Sequence, residues 1–267
     1  MKKLFIALAL TSSLFSCKKE TTNTNSTTNT SNGVTCVDNP NINFTAIGTP
    51  VGKLSDCIKD VDGNTYKTVY IGTQQWMAEN LKVSKYNDGT SIPNVKDSLE
   101  WINLTTGAWC YYNNDETNNS KYGKLYNWYA VSKTTNDNKN VCPAGWHVPT
   151  DAEWTVLTDF LGGNSLNMQL ALDRAVNKMK ELGVVNWNKI NDEATNASLF
   201  TALPGGQRSS FYGGFNGVKF GGSWWCSSSD NHKGGKSRII YEYDNRINLR
   251  ISQDSISSGM SIRCLKD

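Results

Sequence analysis

Cysteine is the residue type in this chain that can take part in the most kinds of chemistry. The chain contains seven cysteines and only two histidines. Cysteine can carry a lipid, form a disulfide, bind a metal or act as a nucleophile. No Cys-x-x-Cys pair and no cluster of Cys with His occurs, so we predict no metal site. The first cysteine is Cys17, and the other six are Cys36, Cys57, Cys110, Cys142, Cys226 and Cys264.

The first sixteen residues have the composition of an export signal. Lys2 and Lys3 precede a 12-residue apolar stretch, Leu4 to Phe15, which is shorter than the roughly 20 apolar residues of a spanning helix. The sequence Leu14-Phe15-Ser16-Cys17 resembles the bacterial lipobox. We therefore expect removal of residues 1–16 and lipidation of Cys17. The alternative is an ordinary secretory peptide with a chance cysteine, but the even number of remaining cysteines favours the lipid.

Nucleophilic catalysis of the Cys-His type would require a thiolate beside an imidazole. His147 lies in Trp-His-Val-Pro just before a predicted helix, where packing and backbone hydrogen bonds explain it. His232 lies in a polar loop, and lone histidines are usually structural. We predict no catalytic residue and no cofactor.

The charge balance gives little indication of a partner. Loss of residues 1–16 would leave 25 Lys and Arg against 24 Asp and Glu, because that segment holds two lysines and no acid. No basic block with interleaved aromatics occurs, so nucleic acid is not a predicted partner. The predicted membrane contact is the N-terminal lipid. Nine Trp and eleven Tyr suit an extracytoplasmic β-rich domain whose rings pack over loops or bind sugars.

The sequence is predicted to consist of four consecutive segments. Residues 1–16 form the signal peptide, and residues 17–33 form a lipidated cysteine with a flexible Thr- and Asn-rich tether that lacks large apolar residues. Residues 34–59 are a lead-in segment containing Cys36 and Cys57, which we expect to close a small loop. Residues 60–267 are one domain.

Helices are predicted mainly in the first half of this domain. Thr150 and Glu153 form a capping box, followed by Trp154, Leu157 and Leu161 on one helical face, and Gly162-Gly163 end that helix. Other predicted helical segments are Gln75 to Leu81, Tyr122 to Val131 and Leu166 to Leu182.

Strands are predicted mainly in the second half, between turn-forming residues. Besides Thr65 to Ile71, the candidates are Phe200 to Leu203, Arg208 to Tyr212, Gly222 to Ser227, Ser237 to Tyr243, Arg246 to Ile251 and Ser258 to Leu265. Helices first and a sheet later favour an α+β class.

Several ordered stretches resemble the Fibrobacter succinogenes major paralogous domain, a family of surface lipoproteins in Bacteroidetes-type bacteria. They are Asp60 to Tyr66, Ile71 to Leu81, Cys142 to Thr150, Ala202 to Gly206 and Ser261 to Cys264. The resemblance implies a C-type-lectin-like or formylglycine-generating-enzyme-like fold, in which two or more helices flank a twisted, disulfide-linked antiparallel sheet. It also implies a place in the cell envelope, at the outer membrane or cell surface.

The resemblance further implies a long-range disulfide between Cys142 and Cys264, as in C-type-lectin-like domains. Cys110 would then pair with Cys226, and Cys36 with Cys57, by elimination and proximity. The local pattern of the active-site cysteines of formylglycine-generating enzymes does not occur around Cys226 or Cys264.

The calcium-binding motifs of sugar-binding C-type lectins, Glu-Pro-Asn or Gln-Pro-Asp with Trp-Asn-Asp, are absent from the sequence. Calcium is therefore not predicted. Asp230-Asn231, which follows Trp224-Trp225, is better explained as an Asx turn.

We therefore predict a lipid-anchored binding or adhesion module for a glycan, a peptide or an envelope component. The loops 209–217 and 227–236 are the candidate ligand surface, since binding residues commonly lie on loops of a rigid scaffold. Their candidate residues are Phe211, Tyr212, Trp225, Asp230 and Asn231. The alternatives are an enzyme or enzyme remnant related to formylglycine-generating oxidases, and a purely structural envelope lipoprotein.

Overall fold

The computed structural model describes residues 30–31, 34–36, 39–162, 166–188, 193–229, 234–243 and 246–267. Within these ranges, no helix is long and apolar enough to cross a bilayer. A short ladder of β1 (Thr30–Ser31) and β2 (Val34–Thr35) precedes the main body.

Sheet I is antiparallel and joins the start of the domain to its last strand. Its members are β3 (Gly52–Lys59), β4 (Thr65–Ile71), β5 (Gln74–Met77), β8 (Trp146–His147) and β14 (Leu265–Lys266), in the order β3-β4-β5-β14-β8. The Asp60 carboxylate closes the β3–β4 turn by accepting from the backbone N–H groups of Asp62 and Asn64 and from the Tyr66 hydroxyl. The helical turn predicted at Gln75 to Leu81 is wrong, because Gln75–Met77 pair with β4.

Sheet II consists of β9 (Gly205–Arg208), β10 (Phe215–Val218), β11 (Gly221–Ser229), β12 (Gly234–Tyr243) and β13 (Arg246–Ser255). The order is β10-β9-β11-β12-β13, and β9 meets β11 in parallel through Gly206 and Gly222. The strands predicted over β11, β12 and β13 are present and longer than predicted.

Three of the predicted strands differ in the structure. Phe200 to Leu203 makes only a bridge between Lys180 and Ala202. The strand predicted at Arg208 to Tyr212 ends at Arg208, because residues 209–213 form a turn closed by the Ser209 N–H to Gly214 carbonyl bond. Ser258 to Leu265 makes isolated bridges before β14.

The helices are α1 (Ser98–Ile102), α2 (Asn119–Tyr122), α3 (Trp128–Val131), α4 (Asp151–Gly162) and α5 (Met168–Met179). Short strands β6 (Trp109–Cys110) and β7 (Leu125–Tyr126) pair among them. The helix predicted over Tyr122 to Val131 is interrupted, because Gly123 ends α2 at φ 72° and Asn127 caps α3. Likewise, α5 is shorter than its predicted range and begins after the Asn167 cap.

The predicted capping box at the start of α4 is confirmed. Glu153 Oε2 accepts from the Thr150 N–H at 2.7 Å and from the Thr150 hydroxyl at 2.9 Å, while the Glu153 N–H donates to Thr150 Oγ1 at 3.2 Å. These reciprocal bonds satisfy donors that the first helical turn cannot pair internally.

Consecutive tryptophans on β11 place a hydrophobic core on each face of sheet II, because successive strand side chains point to opposite faces. Trp224 packs against Trp154 of α4, with ring centroids 6.3 Å apart. Trp225 packs in a second cluster with Tyr126 and Met260. The α+β class is confirmed. The described helices all lie between β5 and β9, but β3 to β5 form a sheet before them of which the sequence predicted only Thr65 to Ile71.

The structure contains the disulfides Cys36–Cys57 and Cys142–Cys264, which join residues 21 and 122 positions apart. The expected Cys110–Cys226 bond is not formed, and both residues are buried free thiols. Cys110 packs beside Trp101 and Leu125, whereas Cys226 lies in the core that contains Trp224. The two cysteines therefore belong to different hydrophobic clusters, which sequence alone does not separate.

Candidate functional site

The five residues predicted to bind a ligand have different environments. Phe211 and Tyr212 are 89% and 55% exposed at the tip of the 209–213 turn. Trp225 is completely buried, and its indole N–H donates to the Tyr126 carbonyl at 2.8 Å. Its prediction as a ligand-binding residue is wrong, because it fills the core. Asp230 and Asn231 lie outside the described residues, as do His232 and Cys17.

A buried arginine holds the tip that carries Phe211 and Tyr212. The Arg208 guanidinium is fully buried and donates to the carbonyls of Gly213 at 2.7 Å and Val95 at 2.7 Å. It also donates to the carbonyls of Lys96 and Asp97, at 2.8 and 3.0 Å. Four carbonyl groups from two loops thus share one cation, which fixes the tip relative to the start of α1.

Aromatic rings complete the support of this arginine. The guanidinium carbon lies 4.4 Å from the centre of the Trp101 ring and 4.9 Å from that of Phe215. Such contacts are favourable because the ring face carries negative electrostatic potential. Arg208 and Phe215 are directly paired across β9 and β10. Gln207 and Asn216, the neighbours of Arg208 and Phe215, point to the opposite face of these two strands.

On that opposite face, a row of side chains crosses four strands of sheet II. Asn216 of β10 pairs with Gln207 of β9, and Ser223 of β11 pairs with Ile239 of β12. The Ser223 hydroxyl donates to Gln207 Oε1 at 3.3 Å and joins the two halves of the row. Tyr241, paired with Gly221, lies two residues along on the same face.

This row lines an open cavity of about 230 Å³, which we call the sheet II cavity. Its lining residues are Gly206, Gln207, Asn216, Gly217, Phe220, Gly221, Ser223, Ile239 and Tyr241. None of them is an acid, a lysine, an arginine or a histidine. Lys219 is exposed in the adjoining turn and does not line the cavity.

Glycine is required at the base of the cavity. Gly206 has φ +67°, and a Cβ atom there would lie 2.6 Å from the Asn216 carbonyl oxygen and 2.7 Å from the Val218 nitrogen. Larger residues would have to displace β10, so the strands approach this closely only with glycine. Gly217 also has a positive φ, of +80°. Backbone atoms rather than side chains therefore form part of the cavity wall.

Phe220 and Tyr212 place further rings near the cavity. Phe220 lines it directly and is 52% exposed in the turn between β10 and β11. Asn216 Nδ2 donates to the Tyr212 hydroxyl at 3.1 Å, so the predicted loop tip is bonded to a lining residue. The structure thus brings Tyr212, but not Trp225, to the edge of this site.

Comparison with known protein families places the chain in one of them. A model of the Fibrobacter succinogenes major domain matches residues 69–266. The chain belongs to this family. That confirms the resemblance seen in the sequence, and the whole sheet II cavity lies within the matched part of the Fibrobacter succinogenes major domain. No curated protein and no solved structure shows significant similarity to the chain.

In this Fibrobacter succinogenes major domain, His147 links Asp267 to the start of α4. Its Nδ1 atom lies 2.7 Å from Asp267 Oδ1, and its Nε2 atom lies 3.0 Å from Glu153 Oε1. Glu153 also belongs to the capping box, so His147 ties the last residue to a helix start. Among the described residues, no group of three His, Cys, Asp or Glu side chains could hold a metal ion.

The two free thiols of the domain are poorly suited to nucleophilic chemistry. Burial raises the pKa of Cys110 to about 12, and burial raises the pKa of Cys226 to about 12. A nucleophilic cysteine reacts as the thiolate, which a raised pKa suppresses near neutral pH. These positions are explained by core packing.

Of the cavity, the predicted loop 209–217 contains only Asn216 and Gly217, and sequence reasoning missed Gln207, Phe220, Ser223 and Tyr241. The sequence does contain one signal, which is a high density of glycine around Phe220. The glycines are Gly205, Gly206, Gly213, Gly214, Gly217, Gly221 and Gly222. Glycines in strands often mark a place where a ligand or another backbone approaches closely.

Proposed function

We propose that this protein is a lipid-anchored, extracytoplasmic binding module and that the sheet II cavity is its ligand site. The observation that supports the site is a glycine-walled cavity with exposed rings and with side-chain amide atoms that no other described residue pairs. Ligand sites are typically concave, mostly preformed and lined by apolar groups with a few placed polar groups. The cavity has each of these properties.

The rigidity of the surrounding structure supports binding at this surface. The tip with Tyr212 is held by the four hydrogen bonds of Arg208, and Asn216 is bonded to Tyr212. A preformed site loses less conformational entropy when a ligand binds. An enzyme related to formylglycine-generating oxidases is less well supported, because the burial of the Cys226 thiol opposes the reactive cysteine that such chemistry needs.

The anchor is proposed from the sequence. The short apolar leader and Leu14-Phe15-Ser16-Cys17 support export, cleavage before Cys17 and attachment of lipid to it. The Thr- and Asn-rich residues 18–33 would then separate the domain from the outer membrane or cell surface.

A C-type-lectin-like or formylglycine-generating-enzyme-like arrangement also belongs to the proposal. Its support is the long-range disulfide from the segment before α4 to the segment before β14, together with two packed helices beside antiparallel strands. Fold likeness does not transfer a ligand. The proposed site is therefore argued from its own residues.

The proposed site can be tested with an array of glycans and peptides. The probe is the full chain carrying Cys17→Ser, which cannot receive the lipid, with and without Phe220→Ala. Phe160→Ala is the matched control, because Phe160 is 51% exposed on α4, whereas Phe220 is 52% exposed at the cavity.

We expect array signals that Phe220→Ala weakens and Phe160→Ala preserves, with both variants retaining the circular dichroism spectrum of the parent. Signals that survive Phe220→Ala unchanged would reject the cavity as the ligand site. An empty array would instead favour a purely structural envelope protein.

A further inference from the structure

We infer that the sheet II cavity binds one uncharged sugar ring of a glycan, without a metal ion. This inference rests on the proposed function and specifies its ligand. Four properties of the cavity carry it: size, unpaired polar atoms, rings and the absence of charge.

The size of the cavity fits a small cyclic group. Pockets for drug-sized ligands usually have volumes of about 300 to 1,000 Å³, whereas this cavity has about 230 Å³. A single pyranose ring matches such a space better than a nucleotide, a cofactor or an acyl chain. Because the cavity is open, the neighbouring sugars of a longer glycan can continue across the surface toward Tyr212.

The polar atoms of the cavity include both a free donor and a free acceptor. Gln207 Oε1 is occupied by Ser223, and the described residues provide no partner for Gln207 Nε2. Asn216 Nδ2 is occupied by Tyr212, and the same residues provide no donor for Asn216 Oδ1. Since Gln207 and Asn216 are directly paired, their Cβ atoms lie about 5 Å apart and both side chains line the same cavity. A sugar hydroxyl both donates and accepts, so it can bond to such a pair.

Rings and backbone provide the apolar part of recognition. Phe220 and Tyr241 line the cavity and can cover the C–H face of a pyranose. The glycines at positions 206, 217 and 221 contribute backbone atoms rather than side chains to the cavity wall. Sugars combine an apolar ring face with polar edges, so a mixed surface of this kind suits them. A lipid would leave the amides unpaired, which costs free energy.

The lack of charge excludes other classes of ligand. Among the described residues that line the cavity there is no Asp, Glu, Lys, Arg or His, so an anionic or cationic ligand would lose hydration there without gaining a charged partner from them. Acidic polysaccharides, nucleotides and charged peptides are therefore poor ligands. The same property predicts binding that depends little on salt or on divalent metal ions, because neither charge pairing nor a metal is involved.

Saturation-transfer NMR can test this inference on the full chain carrying Cys17→Ser. The neutral probes are cellotriose, maltotriose and triacetylchitotriose, and the charged control is trigalacturonic acid. We expect transfer to the ring protons of at least one neutral probe and none to trigalacturonic acid. EDTA and a rise in NaCl from about 0.05 to 0.5 M should change the affinity less than about twofold.

Two substitutions test whether the saturation transfer to neutral sugars arises from binding in the sheet II cavity. Phe220→Ala should weaken neutral-sugar binding about three- to tenfold, the range of one aromatic contact, and Gln207→Leu should weaken it while retaining the fold. Phe160→Ala should leave it unchanged. Thermal melts of all variants identify any that fail to fold.

The outcomes separate the ligand class from the site. If peptides or charged glycans bind and depend on Phe220, the site stands and the sugar inference is wrong. If none of the three neutral probes binds, the sugar inference is also rejected. If every ligand found binds Phe220→Ala as well as the parent, both the inference and the proposed site fail.

Discussion

Asn216 Nδ2 donates a hydrogen bond of 3.1 Å to the hydroxyl of Tyr212. This bond connects an exposed loop tip to a residue of the sheet II cavity. It also fixes the orientation of the planar Asn216 amide. Asn216 Oδ1 can therefore accept a hydrogen bond from a ligand. The loop and the cavity are therefore parts of one surface.

Loss of the Tyr212 hydroxyl should affect binding but not folding. In Tyr212→Phe the ring is kept and the bond to Asn216 is lost, so we expect about two- to tenfold weaker ligand binding, as for one ordinary hydrogen bond. Because Tyr212 is 55% exposed, the melting temperature should remain within about 2 °C of the parent. Titration calorimetry and thermal melts measure these effects. Equal affinity in both proteins would remove Tyr212 from the site.

The cysteine assignment predicts a definite number of thiols. In the chain carrying Cys17→Ser, denatured without reductant, we expect two reactive thiols, Cys110 and Cys226. In the native protein both should react slowly, because they are buried. Ellman titration with and without guanidinium measures this difference. Absence of thiols in the denatured protein would mean that Cys110 and Cys226 are bridged.

The contacts of Glu153 predict loss of stability in acid. Burial opposes ionisation, but hydrogen bonds from Thr150 and the contact with His147 outweigh it and hold the pKa of Glu153 below its usual value. A carboxyl with a depressed folded-state pKa stabilises the fold above its unfolded-state pKa of about 4.3. This contribution is lost as the pH falls through the folded-state value.

Urea unfolding of Glu153→Gln and the parent at pH 6, 4.5 and 3 tests this relation. We expect the parent to be more stable by about 0.3 to 1 kcal/mol at pH 6, because Gln keeps an acceptor oxygen for the capping box but loses the negative charge at the helix N-terminus, and the difference to shrink toward pH 3. Glu100→Gln is the control, since the Glu100 carboxylate accepts no hydrogen bond within the described ranges. A difference that stays constant down to pH 3 would contradict the assigned role of Glu153.

The proposed anchor predicts where the protein is found. Cys17→Ser should abolish incorporation of labelled fatty acid and the part of membrane attachment that depends on the lipid, because serine cannot receive the lipid of a lipobox cysteine. Phase partitioning in detergent and metabolic labelling measure both effects. Cys110→Ser provides a control with an intact leader. Labelling that persists in Cys17→Ser would refute lipidation at that residue.

Local sequence rules were sufficient where neighbouring residues decide the structure. The Thr150–Glu153 capping box is confirmed because its bonds join residues three positions apart. Strands β11 to β13 were predicted because their apolar and β-branched residues lie between turn signals. Phe211 and Tyr212 are exposed because they occupy a turn tip.

Other features depend on contacts between distant residues. Gln75 to Met77 is a short mixed segment, and only pairing with β4 determines that it is a strand. Trp225 is buried because Tyr126 and Met260 cover its face of β11. The amide pair of Gln207 and Asn216 likewise results from strand register, which no local pattern of the two residues shows.

The most direct measurement is an amide chemical-shift map of the ¹⁵N-labelled Cys17→Ser chain, titrated with the neutral trisaccharide that gives the strongest saturation transfer. We expect the largest shifts on the cavity residues, led by Gly206, Gln207, Asn216 and Gly221. Shifts centred elsewhere, such as on α4 around Phe160, with the cavity signals unmoved, would contradict this expectation.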